Sequence, residues 1–167
     1  MKHLLTFCLL ILSFATFAQP DTTTPIFKRF PTLPPLQLLL SDSITKYTKE
    51  DIPKKKAVLI MLFSPDCEHC KHEAEELEAQ KEGFKNIHII MVSTYPFYRI
   101  KEFANAYGLS GLKNVVIAKD PSYFLITFFN IRNFPYMALY NKKGKLIETF
   151  EGSKPMNQVL VSFNANE

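Results

Sequence analysis

The segment Cys67-Glu68-His69-Cys70 places two thiols two residues apart, with a carboxyl and an imidazole between them. A disulfide across so short a loop constrains the unfolded chain very little, so the pair makes a poor staple. Its natural use is exchange between dithiol and disulfide. One further cysteine, Cys8, lies within the apolar stretch Leu4 to Phe17, which follows Lys2 and His3 and leads to Thr16-Phe17-Ala18. A basic start, an apolar stretch and small residues before a cut ahead of Gln19 read as an export signal over residues 1–18. The 14 residues of that stretch fall short of the roughly 20 that cross a bilayer. No cysteine stands directly after them to carry a lipid. A soluble, periplasmic or otherwise exported protein without a stable membrane anchor is expected, and in its mature form Cys67 and Cys70 are the remaining thiols.

The chemistry of the pair depends on where a helix begins. Strong helix formers run from Cys67 to about Glu82, and Gly83 reads as a stop. Unpaired N–H groups and the helix dipole at that start favour an anion, so Cys67 is expected to be the low-pKa attacking thiolate. Cys70, one turn on, then resolves the mixed disulfide. Protonated His69 would stabilise the thiolate, while Glu68 and Asp66 would oppose it by like charge. Asp66 also reads as the helix N-cap.

The elements that must position these residues alternate. Residues 19–35, rich in threonine and proline, read as an extended lead-in, and residues 36–167 as one domain. Leu36 to Leu40 and Ile44 to Thr48 read as an N-terminal hairpin. The unbroken apolar run Ala57 to Phe63 fits a strand buried on both faces. After the cysteine helix come a strand at Ile87 to Val92, a helix at Tyr98 to Tyr107 closed by Gly108, and a strand at Val115 to Ala118. A helix is expected over Pro121 to Asn130, with Asp120 at its cap and Pro121 in its first turn. Strands at Tyr136 to Tyr140 and Leu146 to Phe150, turned by Asn141-Lys142-Lys143-Gly144, lead to a closing helix at Met156 to Phe163. The class is α/β: a central mixed sheet with helices on both faces.

The chain has 167 residues, and without the first 18 it keeps 149, enough for one domain with a real core. The mature balance of 19 basic to 16 acidic residues does not suggest a nucleic-acid partner. Lys54-Lys55-Lys56, the one clear basic run, reads as a solvated turn.

The run Val58 to Phe63, then Ser64-Pro65-Asp66-Cys67-Glu68-His69-Cys70 at a helix start, then Phe134-Pro135 before a strand, resembles the thioredoxin superfamily. The hairpin and export signal make it most similar to the TlpA/ResA-like thiol–disulfide oxidoreductases of bacterial envelopes. The resemblance implies a monomer without cofactor that exchanges disulfides with protein partners and an upstream redox partner, with the reducing direction favoured. It implies that Pro135 is cis and lies against the cysteines, and that the backbone of Phe134 holds a partner's extended chain. Two positions depart from the family: Asp66 replaces an aromatic residue before the first cysteine, and Met61 stands where thioredoxins bury an acid. Glu68, Glu73 or a water is left to exchange protons with Cys70.

Three other readings compete. Cys67, His69, Cys70 and His72 are ligands for copper or zinc, but on one helix they diverge, so a site would need Cys67, Cys70 and a distant residue such as His88. A peroxidase of this fold would want a serine or threonine three residues before its cysteine and a proline further upstream, whereas Ser64 precedes Pro65. Last, the pair could be inert in a binding module that uses the aromatic segment Tyr123 to Phe129, a segment that otherwise reads as core.

Overall fold

The computed structural model describes residues 24–166. The expected export signal over residues 1–18 and the first residues of the lead-in lie outside them. The N-terminal hairpin is β1 (Gln37–Leu40) and β2 (Lys46–Thr48), and the apolar run is β3 (Ala57–Leu62). There follow α2 (Glu68–Ala79), α3 (Lys81–Phe84), β4 (Ile87–Ser93), α4 (Phe97–Ala106), β5 (Val115–Lys119), α5 (Phe124–Phe129), β6 (Tyr136–Tyr140), β7 (Leu146–Glu151) and α6 (Met156–Asn164). A turn of helix, α1 (Ile26–Arg29), interrupts the lead-in that the prolines suggested would be extended. Phe27 accounts for it: the ring is buried, 5.8 Å from that of Phe129.

The seven strands form one mixed sheet in the order β2-β1-β5-β4-β3-β6-β7. β3, β4 and β5 are parallel neighbours, and the remaining pairs are antiparallel. Every residue of β3 and β4 is buried, the continuous burial that a parallel centre covered on both faces requires. Alternate side chains separate the two cores. Leu59, Met61, Ile89, Met91, Met137 and Leu139 pack under α2, α4 and α6. Val58, Ile60, Leu62, Ile90, Val92 and Ala138 share the other core with Phe27 of α1 and Leu125, Phe128 and Phe129 of α5.

Strand direction decides where chemistry can occur. The C-terminal ends of β3, β4 and β5 share one edge of the sheet, and antiparallel β6 starts there, with Tyr136 opposite Leu62. Cys67 and Pro135 thus approach one another from segments far apart in sequence. The starts of the same three strands and the β6–β7 turn line the opposite edge.

Three local expectations need correction. The cysteine helix breaks at Gln80, and Gly83 lies inside α3 instead of ending a helix. A Cβ on Gly83 would stand 2.7 Å from Leu160 Cδ1, so this glycine makes room for α6. Pro121 does not open α5, because Tyr123 takes a left-handed backbone (φ 58) and the helix starts only after it. Asp120 still serves its N-terminus from a distance: the buried carboxylate accepts the Ser122 N–H at 3.2 Å and the Leu125 N–H at 2.8 Å.

Candidate active site

α2 is capped by a sulfur. Cys67 holds an extended backbone (φ −87, ψ 118) as the N-cap, and its Sγ accepts the Cys70 N–H at 3.4 Å. A donated amide and the positive end of a three-turn helix both favour negative charge on that sulfur. Asp66 is therefore not the cap. Its N–H donates to Ser64 Oγ at 3.3 Å, and its carboxylate turns to the guanidinium of Arg99 on α4. Arg99 lies 33 residues from Asp66, and nothing in the sequence pointed to it. It partly cancels the like charge that Asp66 would otherwise bring to Cys67.

The thiol of Cys67 donates to the carbonyl oxygen of Phe134 at 3.6 Å, and the Phe134–Pro135 peptide is cis. Cys67, Phe134 and Tyr95 are partly buried against the same core. One face of the Cys67 sulfur is thus held by backbone groups, and the residue remains partly open to solvent.

Cys70 is a free thiol without exposed surface. Burial pushes its pKa up, and the Cys67 sulfur and the charge of Glu73 add to that shift. One turn further along α2, Glu73 is also fully buried. Its Oε1 accepts the Ser153 hydroxyl and the Lys154 N–H, each at 2.6 Å, while Oε2 is buried without a partner. Burial raises the Glu73 pKa as well, against the two hydrogen bonds, which lower it. Met61, the strand position where an acid might have stood, is fully buried in the core. The buried acid of this site comes from the helix.

The remaining residues singled out from sequence separate into near and remote. Glu68 is exposed and paired with Lys71. His69 is exposed, and His72 lies 3.5 Å from Glu76. His88 sits at the other end of β4, bonded through Nε2 to the Tyr47 hydroxyl at 2.7 Å, so it cannot join Cys67 and Cys70 around a metal. Among the described residues, no group of three or more His, Cys, Asp or Glu side chains is arranged to hold a metal ion. In the aromatic segment, Phe128 and Phe129 are core, while Tyr123 is 55% exposed.

Residues 31–157 match the model of the AhpC/TSA family. No curated protein matches the sequence. Among solved structures, the chain is similar to a secreted disulfide oxidoreductase of Mycobacterium tuberculosis homologous to E. coli DsbE, at 13% identity and a TM-score of 0.66 over 78% of this chain and 95% of that one. It is similar to StoA from Bacillus subtilis at 16% identity and a TM-score of 0.60, over 79% and 98% of the two chains. It is also similar to peroxiredoxin Q of Xanthomonas campestris at 17% identity and a TM-score of 0.64, over 78% and 90%. At these identities the likeness establishes the fold, which is the thioredoxin type.

Proposed function

Since the chain belongs to the AhpC/TSA family, we propose that it is a thiol–disulfide oxidoreductase of the cell envelope that works through Cys67 and Cys70. The observation that carries this reading is the asymmetry of the two thiols: Cys67 is partly open, with an amide donated to its sulfur, and Cys70 is sealed beneath it.

In the reducing direction the Cys67 thiolate attacks a partner's disulfide. The partner's S–S bond breaks, a Cys67–partner disulfide forms, and the partner's other sulfur leaves as a thiolate that takes a proton. Cys70 then gives its proton to the Glu73 carboxylate and attacks Cys67. The second partner sulfur departs, leaving Cys67–Cys70 oxidised and the partner reduced by two electrons. Oxidation of a partner is the same path reversed. Phe134 and Pro135 would hold the partner's extended chain, as the family resemblance implies, and Asp66, Glu68 and His69 would tune the pair. Reduction is the favoured direction, and a second thiol protein would restore the dithiol. Export is supported by residues 1–18 and by a structural neighbour described as secreted.

The test is a trap. With an aromatic disulfide reagent, the Cys70→Ser variant should accumulate a covalent adduct at Cys67 that persists, whereas Cys67→Ser should not. Equal adducts in both variants would remove the assignment of roles.

Peroxide reduction is a second reading, favoured by Ser64. This residue is buried three positions before Cys67, and its Oγ accepts the Asp66 N–H. There the Cys67 thiolate would attack hydrogen peroxide, an S–O bond forming as the O–O bond breaks and the departing hydroxide taking a proton from solvent to leave as water. Cys70 would condense with the sulfenic acid, its thiol proton and the sulfenic hydroxyl leaving as a second water.

A further inference from the structure

The edge of the sheet opposite the cysteines gathers lysines that the sequence keeps apart. A cleft of about 490 Å³ opens there beside His88 and is lined by Lys56, Lys81, Lys85 and Lys113, with Glu82 as the one acid. A second cleft shares Lys56 and adds Lys54 and Lys55 from the segment before β3, Lys142 and Lys143 from the β6–β7 turn, and Lys49; it has no acid in its lining. Lys81 is paired with Glu78, and Lys85 lies 3.8 Å from Glu82. Lys54, Lys55, Lys56, Lys113 and Lys143 have no carboxylate within 4.0 Å among the described residues. The linear run at 54–56 is only one part of a continuous basic face.

We propose that this face docks the protein on an anionic phospholipid bilayer, with lipid phosphates entering the two clefts. The chemistry of the lining selects that occupant. Neither cleft has an arginine, phenylalanine, tyrosine or tryptophan in its lining, and the one ring there, the imidazole of His88, is buried and bonded to Tyr47. Recognition of a nucleic acid or of a specific phosphorylated peptide relies on bidentate guanidinium contacts and stacking, and protein interfaces rely on arginine and aromatic anchors. Lysines on flexible stems, spread over several segments, match instead a broad sheet of laterally mobile phosphates, to which each contributes as a point charge. A cleft of this volume falls within the usual range for small-molecule sites, about 300–1,000 Å³, so it has room for a headgroup as well as a bare ion. Docking by this edge turns Cys67, at the far edge, away from the bilayer and towards partners.

The experiment compares sedimentation of the full chain with vesicles of phosphatidylglycerol and phosphatidylcholine in equal parts against vesicles of phosphatidylcholine alone. The apolar stretch Leu4 to Phe17 adds a contribution common to both, so the reading is the ratio between them. The proposal expects at least about tenfold stronger partitioning onto the anionic vesicles at low salt, mostly lost at high salt. It expects that ratio to fall towards one in the triple variant Lys54→Glu, Lys113→Glu, Lys143→Glu, which exchanges one exposed lysine in each of three segments. Disulfide exchange with a soluble substrate should be unchanged in this variant, which also shows that it is folded. A control triple elsewhere, Lys46→Glu, Lys101→Glu, Arg132→Glu, should retain the ratio. The proposal is overturned if the ratio is near one for the unaltered chain, if both triples lower it equally, or if millimolar inorganic phosphate binds the clefts and abolishes partitioning at constant ionic strength.

Discussion

Ser153 donates its hydroxyl to Glu73 across 2.6 Å, joining residues 80 apart in sequence. Three residues further along α2, Glu76 accepts the Met156 N–H at 2.7 Å, so two carboxylates of the cysteine helix hold the start of α6. The bonds on Glu73 fix one oxygen and leave the other buried and unpartnered on the helix that carries Cys70. A buried carboxyl one turn from a buried thiol is suited to exchange a proton with it.

Replacing that carboxyl, Glu73→Gln, should slow the release of partner from the mixed disulfide by about a hundredfold, the lower end of the usual contribution of a general acid or base. Rapid-quench thiol trapping at neutral pH measures it. The same variant should be more stable than the parent. Because burial raises the Glu73 pKa, the folded protein binds this proton more readily than the unfolded chain, so the parent loses stability as pH rises from the ordinary value of 4.5 through the folded one. The variant should therefore gain an advantage over the parent as pH rises towards neutrality. Denaturant curves at several pH values follow the trend.

Breaking the pair of Asp66 and Arg99 should alter rate more than stability. Both side chains are partly exposed, and exposed ion pairs add little to folding. Arg99→Gln is expected to leave the melting temperature nearly unchanged and to lower the rate of Cys67 alkylation by a few-fold, since Asp66 then acts on the thiolate unopposed. Adding Asp66→Asn should restore most of that rate. Iodoacetamide kinetics at low salt would show it.

Tyr47 and His88 give a pH test away from the site. Burial, with Lys56 second, lowers the His88 pKa. The unfolded chain binds this proton more readily, so the stability contribution is complete above the ordinary value of 6.5 and is lost as pH falls below it through the folded value. Tyr47→Phe removes the buried bond and should cost about 1 kcal/mol or somewhat more. His88→Gln should flatten the fall in stability on mild acidification, as read by chemical denaturation on either side of pH 6.5.

Peroxide separates the two readings of the cysteines. If disulfide exchange is the activity, consumption of hydrogen peroxide by the reduced protein should be no faster than by an ordinary free thiol, and Ser64→Ala should leave it unchanged. Rapid consumption lost in Ser64→Ala would favour the peroxidase.

Legibility in the sequence followed the range of the forces involved. Ala57 to Leu62 could be read because a strand buried on both faces needs nothing but apolar residues, and Cys67 because it stands where that strand meets a run of helix formers. Asp66 was misread as a cap because local hydrogen bonding was the only partner in view, whereas its partner Arg99 is brought by the parallel crossover. Gly83 was misread as a stop because Leu160, whose side chain occupies the space, belongs to the last helix. Glu73 was one candidate among three until burial separated it from exposed Glu68. Lys54 to Lys56 looked like a solvated turn because the lysines that extend it come from four other segments of the chain.

The central claim is most directly tested by equilibrating the Cys8→Ser chain in dithiothreitol buffers of graded ratio and counting free thiols by alkylation and mass. The account predicts one two-electron transition, in which Cys67 and Cys70 lose their thiols together, abolished by either Cys67→Ser or Cys70→Ser. A pair that stays oxidised in the strongest buffer, or that never forms an intramolecular disulfide, would contradict it.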